Sequence, residues 1–195
     1  DLPNWLINNA GWWSARISTD SDFNFDPNYI KDEIYPCTEF SIDVGCFEKT
    51  YSSHGFRGNE FDKEKPGNMF RIFAVGGSTT YGSASNDDET WPAHLQKVID
   101  VNISDKKIEV INAGVSGGNS KTELNLIKQI ITKYNPDLVI MYDGWNDHSS
   151  IPVNDTIENW ESVCKLGMDN DFDVIIAVQP VTITGQRVLT NQEIT

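Results

Sequence analysis

From Met69 onward the chain alternates short apolar runs with amphipathic stretches, and this alternation restricts the fold more than any other feature. Phe70 to Val75, Ile108 to Ile111, Leu138 to Met141 and Val174 to Val178 each have the length of a strand buried on both faces. Three helical patterns separate them. The first begins near Thr90, with Asp87, Asp88 and Glu89 suited to its positive end and Pro92 in its first turn; Leu95, Val98 and Ile99 form its apolar stripe. The second begins at Ser120 with Glu123 three residues on, the spacing of a capping box. It turns Leu124, Ile127, Ile130 and Ile131 to the core and stops at Asn135-Pro136. The third runs from Thr156 to Leu166, with Ile157, Trp160, Val163 and Cys164 inward and Gly167 closing it. Right-handed crossovers between such strands make a three-layer α/β/α, doubly wound parallel sheet. A fifth strand and a closing helix are expected, and the residues after Pro180 do not supply them, so the domain is expected to be cut short.

The preceding residues, 1–65, show no sustained period and are rich in aromatics. Trp5, Trp12, Trp13, Phe23, Phe25 and Tyr29 are the expected anchors of a segment that wraps its neighbour. The Pro-Gly joint from Lys63 to Asn68 is the expected boundary, giving an irregular segment over 1–65 and an α/β domain over 66–195. Within GFRG, Arg57 is expected to anchor an ion pair or carbonyl groups.

Twenty-nine acidic against 15 basic side chains give a net charge of -14, a surface that repels nucleic acid and anionic membranes. No run approaches the roughly 18 apolar residues of a membrane span. Cys37 and Cys46 are near enough in sequence to bridge, leaving Cys164 as an expected buried thiol. Two sequons, at Asn102 and Asn154, suit an extracytoplasmic or secreted protein, which is the expected location.

In a sheet of this kind the loops after the strands share one edge, where ligands bind. Gly76, Gly77 and Ser78 follow the first strand, Asn112 to Ser120 the second, and Tyr142 to Ser150 the third. A hydroxyl, flexible glycines and an Asn amide thus converge, the parts of an acyl-transfer site. These loops resemble the blocks of the SGNH (GDSL-like) hydrolase family. Gly76-Gly77-Ser78-Thr79-Thr80 stands for the first block, with Gly77 where the family has Asp; Asn112-Ala113-Gly114 matches the second, and Gly144-Trp145-Asn146-Asp147 is a complete GxND. The resemblance implies an ester hydrolase, or a carbohydrate O-acyltransferase, with Ser78 as nucleophile. The N–H groups of Ser78 and Gly114 and the Asn146 amide would bind the oxyanion. Gly77, Thr79, Trp145 and Asp147 would line the substrate side, and the partner would be a small-molecule or carbohydrate ester. No cofactor or metal is implied.

The family's DxxH block, which supplies the His base and its Asp, is missing. Its expected place is beyond Thr195. Among the histidines present, His94 falls on a helix and His148 on the GxND loop, whereas His54 is the one expected to be able to fold over the rim. Asp143 and Asp147 suit turn capping better than contact with the base. Trp145 can line a pocket or shield its loop, and Trp91 is expected in the core. Two other readings stand beside the hydrolase. One is a flavodoxin-like electron carrier with FMN phosphate on Gly77 to Ser83; the other is an inactive SGNH-like binding domain.

Overall fold

The structure, a computed structural model, describes residues 49–180. The anchors from Trp5 to Tyr29 and the Cys37–Cys46 pair lie outside the described residues.

Four parallel strands form one sheet: β1 (Met69–Gly76), β2 (Lys107–Gly114), β3 (Leu138–Asp143) and β4 (Asp173–Val178), in the order β2-β1-β3-β4. The crossover from β1 to β2 carries α2 (Trp91–Asn102), preceded by the one-turn helix α1 (Ser78–Tyr81). β2 leads to β3 through α3 (Ser120–Gln129), and β3 to β4 through the short α4 (Asp147–Ser150) and the long α5 (Val153–Asp169). Because the winding reverses at β1, right-handed crossovers send α2 to one face and α3 and α5 to the other. The expected α/β sheet flanked by helices is therefore present, and the switch point lies between β1 and β3.

Phe73 and Val75 of β1 and Val139 and Met141 of β3 pack against Leu126, Ile127, Ile131 and Val163, all essentially inaccessible. This face is the main core. Phe56 joins it, and its ring meets Phe73 edge-on, so the stretch just before β1 is built into the same core. Arg71 fastens that stretch at the sheet's starting edge. Its guanidinium is fully buried, pairs with Glu109 and donates to the carbonyls of Asp62, Lys63 and Tyr134. Along the open side of β2, the Gln96 amide donates to Ile108 O at 3.0 Å and accepts from Val110 N at 2.7 Å. A side chain thereby satisfies strand edge groups that a neighbouring strand would otherwise take.

Several local expectations change. The N-cap of α3 is Asn119, whose Oδ1 accepts from Thr122 N at 3.1 Å, so Glu123 is not the far end of a capping box but turns inward and is wholly buried. α3 stops at Gln129, and a separate 3-10 turn carries Ile131–Tyr134 to Asn135 in the left-handed region. α5 is longer than the pattern suggested, with Gly167 inside it. Ile157 and Cys164 are exposed on its outer side, and Val98 is 58% exposed on α2. In each case an apolar residue at the margin of a helix stripe faces solvent, because a single sheet face covers only part of the helix.

Candidate active site

Ser78 occupies the first turn of α1, directly after the carboxyl end of β1. Gly77 O accepts from Thr80 N and Tyr81 N at 3.1 and 3.0 Å, and Ser78 O accepts from Gly82 N at 2.8 Å. Gly82 closes the turn in the left-handed region at φ 79°. Behind it, buried Thr80 accepts the Trp91 indole N–H at 3.1 Å, so Trp91 sits half-buried beside the turn, edge-on to Tyr142. Ser78 itself is half-buried and Thr79 exposed.

Two elements outside the turn hold its far end. Arg57, with a side chain 2% exposed, pairs with Asp87 at 2.7 Å and donates to the carbonyl oxygens of Tyr81, Gly82 and Ser85. The expectation of a carbonyl anchor thus has a specific form: the anchor clamps the segment that follows the nucleophile candidate. Asn112 Nδ2 lies 3.5 Å from Tyr81 O, and Arg57 and Asn112 are bridged through their backbones.

The loop after β2 folds back over the start of α1. Val115 N donates to Gly76 O at 2.8 Å, and Gly118 N to Val115 O at 2.8 Å. Across the switch point, the Asn146 amide donates to Gly118 O and lies directly against Gly77. A Cβ at Gly77 would stand 2.5 Å from Asn146 Nδ2 and 3.1 Å from Gly118 O. A side chain at this position would therefore displace the Asn146 amide.

Gly114, expected as an oxyanion donor, is the last residue of β2. Its N–H is taken by Asn112 Oδ1 at 3.0 Å, and its Cα faces the α1 backbone so closely that a Cβ would stand 2.1 Å from Tyr81 N. It seats the Ser78 turn. Gly117, in the left-handed region at φ 76° and exposed, has an N–H with no partner among the described residues. The signal for it in the sequence was the Gly117-Gly118 pair, which lies on the rim while Gly114 still belongs to β2.

Asp147 is 3% exposed, and its carboxylate accepts from Ser120 N at 3.0 Å and Thr156 Oγ1 at 3.0 Å. It ties α3 and α5 to the loop, in keeping with the capping reading and away from the substrate side. Trp145 is 52% exposed on the rim. Sequence reading missed Gln179: at the end of β4 its amide donates to Thr79 Oγ1 at 2.8 Å, adding a fourth strand end to the rim.

None of the histidines reaches Ser78. His54 lies between the rings of Phe61 and Tyr134, with Nε2 3.1 Å from Phe61 O, near the edge where the strands begin. It is packed away from the rim and cannot fold over it. His94 is exposed on α2 and His148 on α4.

Under the Asn146 loop three carboxyls meet. Asp143 accepts the Trp160 indole N–H at 3.0 Å, and burial with the nearby Asp147 charge pushes it up to about 6. Glu123 is raised well above the usual carboxyl range by complete burial and by Asp143 and Asp147. Among the described residues no group of His, Cys, Asp and Glu is arranged to hold a metal ion, and no helix is long and apolar enough to cross a membrane.

No family model and no curated protein matches the chain. Solved structures do. A G-D-S-L family protein from Desulfitobacterium hafniense is 23% identical, with TM-score 0.51 over 57% of this chain and 61% of that one. Psychrotrophic esterase EstA from Pseudoalteromonas sp. is 24% identical, with TM-score 0.50 over 56% and 61%. AlinE4, an SGNH-hydrolase family esterase, is 23% identical, with TM-score 0.50 over 57% and 60%. The chain spans about three-fifths of the length of these structures. The fold is that of the SGNH (GDSL-like) hydrolases, the family whose three blocks the sequence resembles.

Proposed function

We propose that this chain carries the nucleophile and oxyanion part of a serine ester hydrolase of SGNH type. The observation that carries the proposal is the placement of half-buried Ser78 at the switch point, with the Asn146 amide packed against Gly77 next to it. In this reading Ser78 Oγ attacks the ester carbonyl carbon while its proton passes to a base. The oxyanion accepts hydrogen bonds from Ser78 N–H, Gly117 N–H and the Asn146 amide. The C–O bond to the leaving alcohol then breaks as the base returns the proton to its oxygen; water, giving a proton to the same base, attacks the acyl-Ser78 ester, and the base reprotonates Ser78 Oγ as the acid leaves. A carbohydrate hydroxyl in place of that water would make the same intermediate an acyl donor. Trp145, Thr79 and Gln179 on the rim are the side chains placed to meet the acyl or alcohol group.

A Ser hydroxyl needs a base to become a strong nucleophile, and His54, His94 and His148 do not supply it. The base is therefore sought outside the described residues. Turnover of short-chain p-nitrophenyl esters tests the reading: wild type hydrolyses them, and Ser78→Ala, which keeps the turn's backbone, does not. Equal turnover by Ser78→Ala refutes it. Asn146→Ala lowers kcat by about 10²- to 10³-fold if its amide holds the oxyanion. An inactive binding domain would show no turnover in any form, and a flavin carrier would instead purify with FMN.

A further inference from the structure

The face of the Asn146 loop that turns away from Ser78 rests on a polar site whose composition is unusual for a core. Glu123 of α3 is 0% exposed, and no donor of another described group reaches either of its oxygens. Its polar neighbour is the Asp143 carboxyl at the end of β3. Such a contact is a hydrogen bond only when one of the two carries a proton. Asp143 is itself in contact with the Asp147 carboxyl, and Asp147 immediately follows Asn146 in the chain. A buried carboxyl left without a donor is costly, and two charged ones side by side more so.

Among the described residues no cation acts on Glu123, and His148 of α4 is exposed. β3 contributes Asp143 and α4 contributes Asp147, the charges acting on Glu123. α5 contributes neutral Thr156, Asn159 and Trp160, which bond to Asp147, Ser120 and Asp143. β1 presents Phe73 and Val75. A proton held between them would join Glu123 to Asp143.

We propose that Glu123 is a positioning residue for Asn146: as a neutral acid it donates to Asp143 and so holds the strand end and loop that aim the amide at Ser78. This rests on the reading of Asn146 as an oxyanion donor. The raised Glu123 and Asp143 carboxyls agree with it, since together they keep one shared proton beyond the ordinary carboxyl range. Loss of that proton at higher pH sets a third negative charge beside those of Asp143 and Asp147, and the loop is displaced. Glu123→Gln supplies a neutral donor of the same shape that does not titrate.

The test follows the Asn146 side-chain amide by NMR as pH rises from 5 to 9, in wild type and in Glu123→Gln. The expected result is a titration of the wild-type signal that Glu123→Gln abolishes. A wild-type signal that does not move, or one that moves identically in Glu123→Gln, overturns the proposal, and the wild-type arm decides even if the variant fails to fold. Phosphonate labelling of Ser78 is read in parallel. Its rate falls roughly tenfold to a hundredfold with pH in wild type relative to Glu123→Gln, the scale of a displaced donor. Absence of labelling in both, with the amide titration intact, counts against the hydrolase reading and leaves the positioning of Asn146 supported.

Discussion

At Gly77 a single hydrogen replaces the side chain that the family's first block carries. A Cβ there would press on the Asn146 amide, so Gly77→Ala is expected to push that amide away from Ser78. The expected cost is about 1–3 kcal/mol of stability together with slower reaction of Ser78, measured by denaturant unfolding and ester turnover. An unchanged turnover rate would mean that the amide is not needed where it sits. Ser78 and Asn146 were both legible because each follows an apolar run at a loop start, where a parallel sheet exposes its residues. The inward turn of Glu123 and the close seat of Gly114 were hidden for the opposite reason. Spacing alone cannot tell a glycine at the end of β2 from one on the rim, or a Glu that reaches back to a helix end from one that turns inward. Those choices are made by the neighbours across the sheet, Asn112, Tyr81 and Asp143.

Among the elements, α1 has one turn and no side-chain cap, so it cannot be stable alone. It is held from outside, by Gly114 beneath it and by Arg57 on the carbonyls that follow it. Arg57→Ala removes the cationic partner of Asp87, which keeps Thr50, and takes one donor from each of three carbonyls, an expected loss of about 1–3 kcal/mol. Hydrogen exchange should show the effect concentrated over residues 81–86; uniform destabilisation would contradict the clamp. The element order and sheet direction were legible from apolar run lengths. Helix ends were less so. The break after Gln129 and the exposure of Ile157 and Cys164 depend on how far the sheet extends beneath each helix, which local periodicity does not record.

For the molecule as a whole, acidity and the buried carboxyls act in the same direction. Asp143 binds its proton more tightly folded than unfolded, up to about 6, as does Glu123 by direction. Their raised values mean that the folded state holds extra protons, so stability from these groups is complete below about pH 4 and is lost as pH rises toward and past 6. Thermal unfolding from pH 4 to 8 should show Asp143→Asn with a shallower decline than wild type; a parallel decline would contradict the assignment. The net charge of -14 adds self-repulsion, so moderate salt should raise the unfolding temperature at neutral pH. A temperature independent of salt would show that the charges are too dispersed to matter.

The central claim is that Ser78, held at the switch point beside Asn146, is a reactive nucleophile. It is tested by intact mass after exposure to a fluorophosphonate. One adduct is expected, mapped by peptide mass to Ser78 and absent in Ser78→Ala. An unmodified wild-type protein, or an adduct that persists in Ser78→Ala, would contradict it.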